Sequence, residues 1–180
     1  MKLIFVRHGQ TDFNKQGIVQ GQEKDVPLNE EGVRQVERTA SLFTQHVDRI
    51  MSSPLKRASQ TAEILGKQLQ KPTEFRDEIK ESSMGSLAGK TWPEIEVVTG
   101  DPKVFEKDRN LTFDYRPYGG ESSEHMRARV AGFVDDMKEK HPDESILVVA
   151  HGGVIDTMNA LYGEKEFPEP GNASVHEFDF

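Results

Sequence analysis

The chain has 180 residues, of which 34% are hydrophobic and 30% charged, with a formal net charge of -8 and no cysteine. This composition is ordinary for a globular chain that buries a substantial core, and the lack of cysteine excludes disulfides, thiolate catalysis and sulfur-ligated zinc. The acidic balance argues against nucleic-acid and anionic membrane partners, and leaves room for a small anionic ligand if basic residues share one pocket.

No stretch approaches the roughly 18 to 20 continuous apolar residues that span a membrane. The amino terminus has one lysine, a short apolar run and then Arg7, which is too little for the core of a signal peptide, so we expect a cytoplasmic protein. Repeats, low-complexity tracts and linkers are absent from the sequence. We therefore expect a single domain over residues 1–180.

Strands and helices alternate along the first part of the chain. Residues 2–6 and 47–51 are typical of buried strands, and residues 73–75 fit a short third strand. One helix is predicted to begin at Asn29, and another after Ser53, a capping residue that Pro54 follows in the first turn. The apolar positions predicted on these two helices are Val33, Val36, Ala40, Phe43, Ala58, Ala62, Leu65 and Leu69.

The pattern weakens between residues 81 and 120, where prolines and glycines leave short helical pieces such as 92–98 and 102–107. We interpret residues 82–118 as a lid-like excursion over the site.

A regular pattern returns at Ser122, which opens a long helix. Its predicted inward positions are Met126, Val130, Phe133, Val134 and Met137. Residues 146–150 then form a strand, 154–162 a helix that Gly163 stops, and 174–178 an extended segment. This alternation predicts an α/β fold, a three-layer sandwich in which a mainly parallel sheet carries helices on both faces.

Two of the predicted strands end in a histidine. Arg7, His8 and Gly9 directly follow the first strand, and His151 and Gly152 follow the strand at 146–150. Because ligands of open α/β sheets bind outside the carboxyl ends of the strands, we expect the two histidines to meet in one crevice. An arginine beside a histidine at that place indicates a phosphate.

Arg57 is expected to bring a second guanidinium to the same edge. It lies in the first turn of its helix, where free backbone N–H groups already favour an anion. Arg57 and Arg7 could each hold two phosphate oxygens in a fork. Glycines at 9, 152 and 153 let the backbone approach a ligand closely. The sequence has neither a Walker loop nor a dinucleotide fingerprint, so no cofactor is expected.

Plainer interpretations exist for each residue alone. An arginine and histidine after a strand commonly form a surface or capping feature, and Arg57 fits a solvated helix face. A metal site from His8, Asp12, His151 and Asp156 has no paired-ligand spacing to support it, and none is expected. The concurrence of three basic elements at one sheet edge favours the phosphate site.

Six short motifs in order resemble those of the histidine phosphatase superfamily, the phosphoglycerate mutase-like fold. They are Arg7-His8-Gly9-Gln10-Thr11 with Asn14, residues 27–32, residues 52–62, Glu81 with Gly85, residues 119–122 and residues 150–153. The motifs cover nearly the whole chain, so they are specific for the superfamily. They say little about substrate, because mutases, sugar-bisphosphate phosphatases, ribazole phosphatases and broad-specificity phosphatases share them.

The resemblance implies a role for each matching catalytic residue. His8 is the expected nucleophile, with one ring nitrogen held by a backbone carbonyl and the attacking nitrogen unprotonated. Arg7, Arg57 and His151 are expected to neutralise the phosphoryl oxygens as charge develops. Glu81 matches the acid/base position, from which it protonates the leaving oxygen and later deprotonates water.

Other positions match the family's pocket. Asn14 and Gly21 are expected to line the phosphate or substrate site, and Gly152 is expected to bind phosphate. Taken alone, Glu81 would be interpreted as a surface carboxylate. Glu121 is a second carboxylate candidate for the acid, although a role at the start of a helix is preferred for it.

The expected activity is metal-independent hydrolysis of a small phosphomonoester through a phosphohistidine, in the phosphatase branch. A compact lid at 82–118 favours a phosphatase, because a mutase must keep water off its phosphohistidine. Mutase-type phosphoryl transfer is the alternative. A non-catalytic phospho-ligand binder is disfavoured because His8 and Glu81 are both present, and a protein-phosphohistidine phosphatase would need a more open site. The sequence leaves the oligomeric state open, with a homodimer as one alternative.

Overall fold

A five-stranded sheet forms the centre of the computed structural model, which describes residues 1–163 and 169–180. Its strands are β1 (Lys2–Arg7), β2 (Arg49–Ser52), β3 (Thr73–Phe75), β4 (Ser145–Ala150) and β5 (Val175–Asp179). The spatial order is β3-β2-β4-β1-β5. The first four strands run parallel, and β5 lies antiparallel to β1 at the edge.

Helices cover both faces of this sheet. Those of the described residues are α1 (Asp12–Gln16), α2 (Glu30–Leu42), α3 (Lys56–Leu69), α4 (Trp92–Thr99), α5 (Val104–Arg109), α6 (Ser123–Lys140) and α7 (Gly152–Tyr162). Helices α2 and α3 pack on one face, and α6 and α7 pack on the other. The predicted three-layer α/β architecture is confirmed. None of these helices is long and apolar enough to cross a lipid bilayer.

The apolar run of β1 is explained by its two buried faces. Leu3 and Phe5 pack in the cluster formed with α6 and α7, whereas Ile4 and Val6 pack in the cluster formed with α2 and α3. All four side chains are fully buried. Because both faces of a central parallel strand are covered, the sequence there is continuously apolar rather than alternating.

The predicted helix starts at Asn29 and Ser122 are confirmed, since each side chain accepts a backbone N–H from the first turn. The prediction for α3 is wrong, because that helix begins two residues later, with Leu55 at its cap and no side-chain cap bond. Ser53 instead remains in the preceding turn, where its Oγ accepts the N–H of Leu55 at 3.3 Å. Phe43 lies just beyond the end of α2 and packs half-buried against the core.

The short helix α1 was not predicted, because none of its residues is buried and it therefore has no apolar stripe. It is held by a capping box, in which Thr11 Oγ1 accepts the N–H of Asn14 and Asn14 Oδ1 accepts the N–H of Thr11, both at 3.1 Å. This local hydrogen bonding replaces hydrophobic packing as the reason for the helix.

The excursion at 82–118 contains α4 and α5, close to the short helical pieces that were expected. It packs around an apolar cluster of its own, formed by Met84, Leu87, Ala88, Ile95, Val104, Phe113 and Tyr115. A single β-bridge between Ile18 and Thr91 joins it to the segment after α1. The excursion is thus a packed unit beside the sheet rather than an open loop.

Two glycines let the turn after β1 pack directly on α2. A Cβ atom at Gly32 would lie 2.1 Å from the carbonyl oxygen of Gln10, and one at Gly9 would lie 2.5 Å from the carbonyl oxygen of Gly32. Both distances are far below contact. The expectation that Gly9 lets the backbone approach a ligand is therefore wrong, because this position faces the helix.

Alanine substitution at two helical glycines should distinguish a glycine needed for close packing from one that only lowers helix propensity. We expect Gly32→Ala to lower the free energy of unfolding by about 1 to 3 kcal/mol, through overpacking against backbone. Gly132→Ala in α6 meets nothing within 4 Å. It should raise that free energy by about 0.5 to 1 kcal/mol, because alanine favours helix. Urea denaturation of both variants measures the two effects, and equal shifts would contradict this explanation.

Candidate active site

The two histidines meet because β1 and β4 end side by side. Arg7 is paired in register with Ala150, and the backbone N–H of His8 donates to the carbonyl of Ala150 at 3.0 Å. His151 directly follows Ala150, the last residue of β4. The ring centroids of His8 and His151 lie 5.2 Å apart. The juxtaposition expected from the two strand ends is confirmed.

The His8 ring is oriented by its neighbour's backbone. Its Nδ1 lies 2.7 Å from the carbonyl oxygen of Gly9, and a carbonyl only accepts, so Nδ1 carries the hydrogen. Burial, followed by the charges of Arg57 and Arg7, holds the pKa of His8 well below its ordinary value. The lone pair of Nε2 is thus available to the cavity that His8 lines.

His151 lies behind His8 and is fully buried. Its Nε2 is 2.8 Å from Ser53 Oγ, which explains why Ser53 is held in the turn instead of capping α3. When Ser53 donates, the hydrogen is on Nδ1, which has no partner among the described residues. Burial, followed by Arg57 and His8, holds the pKa of His151 well below its ordinary value. His151 is absent from the described residues that line the cavity, so its expected contact with a phosphoryl group stays a prediction.

Arg57 reaches the site from the first turn of α3, as expected, but two of its guanidinium nitrogens already donate hydrogen bonds to backbone carbonyls. The side chain is 1% exposed. Nη2 donates to the carbonyl of Gly21 at 2.9 Å, and Nη1 donates to that of Lys24 at 3.3 Å. Nε has no partner within the described ranges. Burial lowers the pKa of Arg57, and the nearby Glu81 carboxylate opposes that change. Gly21 acts here through its backbone, by orienting the guanidinium.

Arg7 is held in a similar way. Its Nη1 donates to the carbonyl of Pro170, and its Nε is buried without a partner in the described part of the chain. A Cβ atom at Gly152 would stand 3.6 Å from Arg7 Cζ, so the start of α7 lies against the guanidinium. Burial lowers the pKa of Arg7, and Glu81 again opposes it most. A buried guanidinium with an unpaired N–H favours an anion as its partner.

Glu81 is fixed at the amino end of α7. Its Oε1 accepts the N–H of Ser82 at 2.9 Å, and its Oε2 accepts the N–H of Gly153 at 3.3 Å. A Cβ atom at Gly153 would lie 2.5 Å from Oε1. The glycine was expected to admit a ligand, and the structure shows that it admits this carboxylate. Glu81 also lines the cavity, as an acid/base group must.

Glu121, the second carboxylate candidate, is absent from the described lining of the cavity. Its Oε1 lies 2.7 Å from Arg129 Nη2 and accepts the N–H of Ser83 at 3.0 Å. Glu121 thus forms a largely buried ion pair with Arg129 of α6, in place of the role preferred for it at the start of that helix. Of the two carboxylates considered for the acid role, Glu81 is the one among the described residues that lines the cavity.

These groups line a cavity of about 460 Å³ between the sheet edge and the excursion. The predicted residues on its wall are Arg7, His8, Asn14, Gly21, Arg57, Glu81 and Gly152. Asn14 reaches it while its Oδ1 caps α1. The sequence missed Gln20, Asp108, Arg109, Glu169 and Asn172, which also line the cavity. Asp108 and Arg109 belong to the short helix α5, and the others come from irregular segments, so no long apolar periodicity marks the side that faces a ligand.

The four residues considered as metal ligands do not act together. Asp12 is exposed on α1, and Asp156 Oδ2 pairs with Arg109 Nη1 at 2.9 Å. Within residues 1–163 and 169–180, no group of three His, Asp or Glu side chains is arranged to hold a metal ion.

The fold and this site define an α/β protein in which two histidines and two arginines meet at the carboxyl edge of the sheet. The chain belongs to the histidine phosphatase superfamily, branch 1, whose family model matches residues 3–180. The family indicated by the sequence motifs is confirmed.

Similarity to individual proteins extends over most of the chain. Phosphoglycerate mutase-like protein 4 of Arabidopsis thaliana is 33% identical, over 98% of this chain and 78% of the relative. A metal-independent phosphoserine phosphatase of the same plant is 33% identical, over 89% and 67%. The structure of a mycobacterial glucosyl-3-phosphoglycerate phosphatase with VO3 has a TM-score of 0.83 and 30% identity, and covers 98% of this chain and 91% of that one. Family and relatives together support a phosphoric monoester hydrolase.

The lowered pKa of His8 predicts a specific dependence of stability on pH. Because the unfolded chain binds a proton at this position more readily, stability falls as the pH falls below about 6.5, by up to about 1.4 kcal/mol per pH unit. His8→Asn is neutral and lacks that loss. The unfolding free energy of the native protein minus that of His8→Asn should therefore decrease as the pH falls from about 7.5 to 5.5. Denaturant titrations measure it, and a difference that grows towards acid would contradict the assignment.

Proposed function

We propose that the protein hydrolyses phosphomonoesters of small metabolites through a phosphohistidine on His8. One observation carries this proposal. His8, with an unprotonated Nε2, lines the same cavity as the buried Arg57 and the partly buried Arg7, whose guanidinium Nε atoms have no partner among the described residues. A phosphoryl group placed there would meet a nucleophile and two cationic donors at once.

The reaction follows in two displacements. In the first, His8 Nε2 forms a bond to phosphorus, the bond from phosphorus to the leaving oxygen breaks, and Glu81 donates its proton to that oxygen. In the second, Glu81 takes a proton from water, the water oxygen attacks phosphorus and the bond to Nε2 breaks, which releases inorganic phosphate. Arg7 and Arg57 stabilise the charge on the phosphoryl oxygens in both steps, with His151 as a neutral donor.

A phosphatase is preferred to a mutase, the alternative activity. The wall of the cavity includes exposed residues such as Phe105 and Glu169, so water can approach the phosphohistidine. The cavity volume of about 460 Å³ suits a small metabolite. Two of the relatives are named as phosphatases of phosphoserine and of glucosyl-3-phosphoglycerate, which are both small phosphomonoesters.

The lid function of residues 82–118, the single-domain organisation, the cytoplasmic location and the homodimer stay predictions. So does the expectation that neither nucleic acid nor a membrane is a partner.

A phosphoenzyme should be trapped on His8. We expect brief incubation with a labelled aryl phosphate, followed by rapid quenching, to leave a label that survives alkali and is lost in acid, as a phosphoramidate is. His8→Ala should abolish the label, whereas His46→Ala, at an exposed histidine, should retain it. Turnover should be unchanged by a chelator. Labelling of His8→Ala, or activity that a chelator removes and a divalent ion restores, would contradict the proposal.

Removal of the proton on Glu81 should affect poor leaving groups most. Glu81→Gln keeps the size of the side chain, and general acid help is typically worth about 10²- to 10⁴-fold. In a single turnover we expect a large loss of phosphoryl transfer from a sugar phosphate and little loss from nitrophenyl phosphate, whose phenolate leaves almost unaided. Glu121→Gln is the matched control. Equal losses for both substrates would argue against Glu81 as the acid.

A further inference from the structure

Apart from Arg7, Arg57 and Glu81, the charged residues among the described lining of the cavity are mostly acidic. They are Asp108, Arg109, Asp156 and Glu169. Three carboxylates therefore accompany one guanidinium, and we refer to these four residues as the acidic wall. Arg7 and Arg57 face the transferred phosphoryl group, so the acidic wall is left to meet the remainder of the substrate.

Asp156 occupies a defined place along α7. It follows Gly152 by four residues, which places it on the same helix face and roughly 6 Å further along the axis. Gly152 in turn lies against the guanidinium of Arg7. A ligand with its phosphate on Arg7 therefore reaches Asp156 with a second group only a few bonds away.

The Asp156 carboxylate is only half satisfied. Oδ2 pairs with Arg109 Nη1 at 2.9 Å, whereas Oδ1 is buried and has no hydrogen-bond partner among the described residues. The residue is 6% exposed. An ionised carboxylate oxygen in such a place is stabilised by a cationic donor. Burial accordingly raises the pKa of Asp156 to about 7, with Arg109 only partly opposing it.

Asp108 repeats this arrangement at the end of α5. Its Oδ1 accepts the hydroxyl of Tyr115 at 2.5 Å, and no other hydrogen bond to its carboxylate comes from the described part of the chain. Burial raises the pKa of Asp108 to about 6, and the Tyr115 hydroxyl opposes the change. Each of these two aspartates thus has one oxygen held by a protein donor and one without such a donor.

We infer that the acidic wall selects phosphomonoesters whose leaving alcohol carries an ammonium group, bound by Asp156 and Asp108. This inference rests on the proposed hydrolysis at His8 and adds the class of substrate. Two aromatic residues, Trp92 and Phe105, also line the cavity, with ring centroids 5.2 Å apart. Aromatic faces attract organic cations, so carboxylate and ring together suit an ammonium group.

A carboxylate on the substrate would fit this wall poorly. Arg109 is the basic member of the wall among the described residues, and the pairing of its Nη1 with Asp156 partly neutralises its charge. An anion beside that pair would also lie close to the carboxylates of Asp108 and Glu169, which repel it. A neutral hydroxyl could hydrogen-bond to Asp156 Oδ1 but would bring no charge to it.

Three phosphomonoesters of equal length test the selection. O-phosphoethanolamine, hydroxyethyl phosphate and phosphoglycolate have two-carbon alcohols that end in an ammonium, a hydroxyl and a carboxylate group. We expect kcat/KM to be highest for the ammonium and lowest for the carboxylate. The ammonium should exceed the hydroxyl by about 10- to 100-fold, the usual effect of a charge-assisted hydrogen bond. Nitrophenyl phosphate reports hydrolysis that is independent of the acidic wall.

Single substitutions assign the preference to the two aspartates. Asp156→Asn and Asp108→Asn should each lower the ratio of ammonium to hydroxyl kcat/KM by about tenfold. Asp143→Asn, at an exposed aspartate outside the cavity, is the matched control and should leave the ratio unchanged. Circular dichroism checks folding, and if Asp156→Asn does not fold, Asp108→Asn decides.

Two results would overturn the inference while the proposed function stands. One is hydrolysis of nitrophenyl phosphate together with equal or lower kcat/KM for the ammonium ester. The other is an ammonium preference that persists in every folded Asn variant, because the acidic wall would then not be its source. If none of the four phosphomonoesters is hydrolysed, the proposed function fails, and the inference that depends on it fails too.

Discussion

The register between β1 and β4 is the constraint on which the site depends. Because Arg7 lies opposite Ala150, the histidines at 8 and 151 follow as neighbours. A shift of one residue would turn one of them to the other face of the sheet. The register is fixed by burial on both faces, since any slip would exchange residues such as Phe5 and Val6 between two packed layers. Hydrophobic packing far from the cavity thus determines the position of its reactive atoms.

The two arginines at this edge have main-chain carbonyls as their hydrogen-bond partners. The guanidinium groups of Arg7 and Arg57 donate to main-chain carbonyls, which satisfy some of their hydrogens but carry no net charge. Arg129 is different, because Glu121 balances its charge in a buried ion pair. The choice of partner therefore separates arginines that stabilise the fold from those whose positive potential remains available to a ligand.

The sequence predicted the regular elements and the residues at their ends, because periodic apolar runs define the strands and the chain order then places His8 and His151. It predicted Glu81 only through family resemblance, since no periodicity marks that region. Asp108 and Arg109 were missed because the excursion is shaped by packing between short pieces. Ser53 was misassigned because local capping preference competes with a tertiary contact that sequence spacing does not reveal.

The separate apolar cluster of the excursion has a consequence for how such a chain can diversify. The groups proposed to handle the phosphoryl unit, which is common to every phosphomonoester, belong to the sheet edge. Several groups proposed to face the variable part of a substrate belong to α4 and α5, which pack largely against residues of their own segment. Mutations can accumulate there, or a whole segment can be exchanged, with little disturbance of the strands. The same catalytic groups can in this way be inherited unchanged while the range of substrates changes.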